Sequence, residues 1–236
     1  MKNAALSLMV LIFCGFSVEL FAGNFYAEYK ISGIGDKVYL SKLYAKNGDM
    51  RSEMTMDMGG KEMTTVTLKL KSNPDVAIVY NSESKTYNEV KGDTTGSKAS
   101  DMTVKVIGNE KIGSYNCKHI RMTSEGKSWD MWVTKDLPAF NFPLEKNDEV
   151  TNKKIMELLK KNDAEGMPVK LSFGSPGMVM ELVKYEAKEV DDALFKIPPG
   201  YTKSTVSYDA EKMKNMTDEE RREMIMKMME ENMPKK

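Results

Sequence analysis

The sequence predicts a single α+β domain built on an antiparallel sheet, and three observations predict it. Met50, Ser52, Met54, Met56 and Met58 alternate with Arg51, Glu53, Thr55 and Asp57, the period of a strand with one wet face. Turn signals of Gly, Asn, Asp and Pro recur at short intervals from residue 24 to about 133, the rhythm of a meander rather than of βαβ units. Between Asp148 and Asn162, by contrast, Ile155, Met156, Leu158 and Leu159 share one side of a helical projection and the lysines take the other, an amphipathic helix.

The elements follow in order. Phe25, Ala27, Tyr29 and Ile31 alternate with Tyr26, Glu28 and Lys30 until Gly33 and Gly35-Asp36 break the run. Val38 to Ala45 resumes it, and Asn47-Gly48-Asp49 is a hairpin signal. After the Met50 strand, Gly59-Gly60 turns the chain into a Thr- and Val-rich strand from Met63 to Lys71. Asn73-Pro74-Asp75 reads as a turn, Val76 to Tyr80 as a buried strand and Thr86 to Val90 as another. Gly92 to Ser100 is a polar loop. Met102 to Ile107, Tyr115 to Thr123 and Lys127 to Val133 give three more strands, with Gly108, Gly113 and Gly126 as turn markers. An aromatic loop, Leu137 to Pro143, leads into the helix, which Gly166 and Pro168 stop. Val169 to Phe173 and Met178 to Ala187 return to strand, and Phe195 to Tyr201 closes the domain.

Both ends carry separate signals. Lys2, the apolar run Ala4 to Phe16 and the small residues after it read as an export signal, too short to span a bilayer. Cleavage is expected after Ala22, with Ser17 the competing position. Phe13 stands where a lipoprotein signal needs a small residue, so Cys14 is expected to be discarded without a lipid. At the far end Thr217-Asp218-Glu219-Glu220 is a capping box. It opens a helix to about Asn232, on which Met224, Ile225, Met228 and Met229 form a stripe. The expected organisation is a signal peptide over 1–22, a domain over 23–205, and a linker with a Met-rich helix over 206–236.

Composition excludes several classes of function. Lysine and arginine number 35, as do aspartate and glutamate, a balance that argues against a nucleic-acid partner. No second segment approaches a transmembrane length. After processing only Cys117 remains, so an internal disulfide is impossible and a buried reduced thiol is expected. His119 is the single histidine, which removes the usual parts of zinc sites and serine-type triads. It shares a strand face with Cys117 and Arg121, but neighbours two apart on a strand point in parallel rather than at each other. Asp191-Asp192 reads as a turn, and no G-x-S-x-G, H-E-x-x-H or Gly-rich phosphate loop is present. The expectation is therefore a non-enzyme without a cofactor.

Four segments in order carry a family resemblance: Ile107 to Cys117, Trp132 to Leu137, Gly166 to Lys170, and Phe195 to Tyr201. They resemble a family of exported bacterial proteins of unassigned function whose fold is similar to the lipoprotein carriers LolA and LolB. That resemblance implies a curved antiparallel half-barrel, here of some nine to eleven strands, wrapped around a covering helix. It also implies an apolar concave face able to hold acyl chains. The carriers' partner-docking motifs are not visible.

Methionine is the compositional outlier, with 21 residues. Its flexible thioether makes an adaptable apolar surface. Met54, Met56 and Met58 with Trp129 and Met131 are therefore the candidate lining of a cavity for a lipid or other apolar ligand. Two alternatives belong to other classes. Thioethers are soft Cu(I) ligands, which makes Met224, Met228 and Met229 a candidate copper-buffering cluster. The same stripe suits a helix that docks on a protein partner of a structural envelope protein.

Overall fold

The computed structural model describes residues 23–34, 37–57, 62–82, 85–91, 102–124, 126–140, 149–174 and 177–204. The expected leader and the expected tail helix, with Met224, Met228 and Met229, lie outside the described residues, as does Met58.

One curved, unclosed sheet dominates. Six strands run as a meander: β1 (Phe25–Ile34), β2 (Lys37–Lys46), β3 (Asp49–Asp57), β4 (Glu62–Leu70), β5 (Asn73–Asn81) and β6 (Thr86–Lys91). Then come β7 (Thr103–Ile112), β8 (Tyr115–Ser124), β9 (Lys127–Thr134), the helix α1 (Glu149–Lys161), β10 (Met167–Phe173) and β11 (Val179–Ala187). β11 returns to pair with β1, so the two meanders join in the order β12-β6-β5-β4-β3-β2-β1-β11-β10-β9-β8-β7. The twelfth strand, β12 (Thr202–Lys203), was not expected; it adds in parallel to β6. Thr202 and Ser204 there donate their amides to the Lys85 and Tyr87 carbonyls.

Two local readings need correction. Gly108 is not a turn. β7 continues to Ile112, and Gly108 pairs with His119 beside a bulge that skips Ile107. The turn falls instead at Gly113, whose φ of 58° suits glycine. Asn73-Pro74-Asp75 is likewise strand, because Leu70 pairs with Asn73 across a two-residue turn.

The inward face follows the predicted alternation. Phe25, Ala27, Tyr29 and Ile31 of β1 are buried with Met50, Met54 and Met56 of β3, and with Ile155 and Leu159 of α1. Phe140 seals one end, its ring edge-on to Phe25 at 5.6 Å. Lys118 reaches from β8 to the end of α1 and donates to the Asn162 carbonyl at 3.1 Å, a cation at the negative end of a helix. Gly166, where the chain leaves the helix for β10, is a forced choice: a Cβ there would stand 2.3 Å from the Thr134 carbonyl oxygen.

The outward face is not uniformly wet. In β4 the pattern inverts, with Val66 and Leu68 turned outward opposite Glu53 and Arg51. Tyr80 joins them, and Tyr201 meets Tyr80 ring to ring at 5.1 Å. The segment between is a short 3-10 helix, Asp192–Phe195, capped by the Asp191 carboxylate and pinned by Arg51 donating to the Leu194 carbonyl at 2.9 Å. The domain's last residues thus cover this patch, which is why β4 carries its aliphatic side chains on that side.

Candidate functional site

The sequence-predicted lining residues Met54, Met56, Trp129 and Met131 come together in one buried cluster. β3 supplies the methionine pair and β9 supplies Trp129 and Met131, from opposite wings of the sheet. Tyr29 and Ile31 of β1 and Met180 of β11 fill the strip between, with Leu171 of β10 opposite Met131. Those bridging residues were missed as site candidates, although the alternation in β1 already marked one face as apolar. Residues of both wings and of α1 belong to the same buried cluster, so the face is continuous. Methionine dominates it, with Met50, Met102, Met122, Met167, Met178 and Met180 also buried there.

Among the described residues, two polar atoms on this face have no partner: Ser41 Oγ and Trp129 Nε1. Ser41 is 1% exposed and lies between Tyr29 and Met54 in the register. Trp129 is 6% exposed and lies between Met122 and Phe173. Beyond β3 the inward side becomes polar. Thr65, Thr67 and Lys69 of β4 stand opposite Met54, Ser52 and Met50.

A second cluster lies on the outward face around the single histidine. His119 stacks on Trp132 with centroids 4.2 Å apart, and Lys170 sits over the same indole at 5.1 Å. Trp132 Nε1 donates to Glu110 at 2.6 Å. Arg121 grips Asp130 with two hydrogen bonds of 2.8 and 2.9 Å, and this guanidinium holds the Asp130 carboxyl below its usual range. Cys117 is buried beside Trp132 and Val169, and burial pushes its thiol pKa up. A raised thiol makes a poor nucleophile. As expected from strand geometry, Cys117 and His119 share a face, and each is engaged by other neighbours.

A charged cleft of about 410 Å³ opens at the β7–β8 turn and includes Glu110, Lys111, Lys118 and Asp163. Lys135 and Lys118 both pair with Asp163 and hold its carboxyl down at about 2. The predicted lining residues are not part of this cleft. Among the described residues no three His, Cys, Asp or Glu side chains are grouped to hold a metal ion, and no helix is long and apolar enough to cross a membrane.

Residues 34–201 match the model of a family described as Domain of unknown function (DUF4412). No curated protein matches the sequence. Among solved structures, the chain is similar to an uncharacterized conserved protein from Thermus thermophilus, with 11% identity and a TM-score of 0.51 over 85% of this chain and 98% of that one. It is also similar to PNGF-II, with 15% identity and a TM-score of 0.47 over 82% of this chain and 32% of that one. A third likeness is to a DUF1329 family protein from Desulfovibrio piger, with 15% identity and a TM-score of 0.32 over 83% of this chain and 95% of that one. The Thermus likeness is one of fold.

Proposed function

Given that this chain belongs to the DUF4412 family, a domain of unknown function, we propose that it is an exported, non-enzymatic binding protein. Its ligand is apolar, a lipid or acyl chain, held against the inward face of the sheet. The observation that carries this reading is the methionine-rich apolar face assembled from β1, β3, β9, β10 and β11 under α1. Methionine side chains repack at little cost, so such a face accommodates a flexible chain better than branched aliphatics do. Displacement of α1 as a lid would admit the ligand, because the helix closes the core with Ile155 and Leu159, beside Met156 and Leu158. The leader supports export to the periplasm or outer envelope of a bacterium.

The experiment is a titration of the purified full chain with a fluorescent acyl-chain probe. Saturable binding that is weakened by Met54→Lys supports the proposal. A folded chain that shows no saturable binding defeats it.

A further inference from the structure

Trp129 Nε1 is a hydrogen-bond donor on an almost fully buried side chain, and nothing among the described residues accepts from it. An indole nitrogen can only donate, and a buried donor left unmade is costly enough that native structures rarely tolerate it. The other indole in the chain shows the ordinary arrangement: Trp132 Nε1 donates to Glu110 at 2.6 Å. Position gives the orphan its meaning. Trp129 lies on the inward face, in register with Phe173 on one side and Met122 on the other. It stands at the end of the sheet where β8 turns into β9 at Gly126 and β10 turns toward β11. From there Met131, Ile120 and Leu171 continue the face inward with no polar side chain among them. One donor at the end of an otherwise apolar face is the arrangement that orients an amphiphile. Ser41 Oγ is a second unpartnered polar atom on the same face, next to Met54.

We infer that the ligand of this face carries a carbonyl or carboxylate oxygen that accepts from Trp129 Nε1, with its acyl chain running inward over Met131. The ligand class is therefore an acyl ester or fatty acid rather than a plain hydrocarbon. This rests on the proposal that the inward face binds an apolar chain, and it specifies the chemistry of the head.

The test compares hexadecanoate, methyl hexadecanoate and hexadecane on the full chain and on Trp129→Phe, which keeps an aromatic ring and removes the donor. Two readouts are used: displacement of a fluorescent acyl-chain probe, and the indole N–H resonances of a nitrogen-15-labelled chain. The expected result is that the substitution weakens both oxygenated ligands about tenfold and leaves hexadecane unchanged. In the native chain the Trp129 resonance moves downfield with the oxygenated ligands, while that of Trp132, already bonded to Glu110, stays in place. If Trp129→Phe fails to fold, the resonance shift in the native chain decides. Equal binding of all three ligands by both chains, or a Trp129 resonance that does not move on saturation, overturns the head-group assignment and leaves the apolar face standing. A folded native chain that binds none of the three overturns the underlying proposal and this inference together.

Discussion

The Tyr29 hydroxyl donates to the Pro168 carbonyl at 2.9 Å, joining β1 to β10 across the intervening β11. β10 is irregular there: the register shifts between Pro168 and Lys170, and proline contributes no amide to the ladder. Tyr29 is 1% exposed, and burial raises its pKa, so it remains a neutral donor. Tyr29→Phe leaves a buried carbonyl without this bond and is expected to cost about 1–2 kcal/mol. Urea unfolding measures this; an unchanged midpoint would show that the link between the meanders is dispensable.

Gly166→Ala tests the approach of the helix exit to β9. The added Cβ would meet the Thr134 carbonyl oxygen at 2.3 Å, and backbone has little room to yield. The Gly166 carbonyl also accepts from the Phe140 amide at 3.1 Å, so a shift would disturb the residue that seals one end of the core. A loss of about 1–3 kcal/mol is expected, seen as a lower thermal midpoint. A neutral substitution would contradict the packing described.

The Arg121–Asp130 pair makes stability depend on pH in a defined direction. The Asp130 carboxyl is depressed in the folded state, chiefly by hydrogen bonds from Arg121. A depressed carboxyl stabilises the fold above its unfolded pKa of about 4, and that stability is lost as pH falls through the folded value. Asp130→Asn is expected to be less stable than the native chain at pH 7 by about 1 kcal/mol, a modest figure because Arg121 is half exposed. The gap should close on acidification, read from unfolding midpoints across pH. A gap that widens in acid would reverse the assignment.

Cys117 should behave as a packed thiol. It is 3% exposed, and its Sγ donates to the Tyr115 carbonyl at 3.7 Å. Because the thiolate is the reactive species and burial disfavours it, alkylation at pH 8 should be slower than in denaturant by orders of magnitude. Fast labelling of the folded chain would show an accessible, activated cysteine.

Particular residues show what the sequence revealed and what it hid. The β3 alternation was legible because Met50, Met54 and Met56 face one core and Arg51 and Glu53 do not. The helix was legible because Ile155 and Leu159 recur at its period. β4 was legible as a strand, but its facing was not, because its Thr and Val residues alternate weakly and its outward side is buried with Tyr80 and Tyr201, distant in sequence. Gly108 misled because a glycine in a bulged edge strand has the same letter as a glycine in a turn. Of the buried inward face, Met54, Met56, Trp129 and Met131 were legible by their alternation. The bare Nε1 of Trp129 was not, since it depends on what the neighbouring strands fail to present.

Whether the inward face holds a ligand is read most directly by native mass spectrometry of the chain purified from its own cells, before and after solvent extraction. The expected result is an added mass that extraction removes and that is identified as an acyl lipid. A folded chain at its bare mass, with no bound material in the extract and no displacement of an acyl-chain probe, would contradict it.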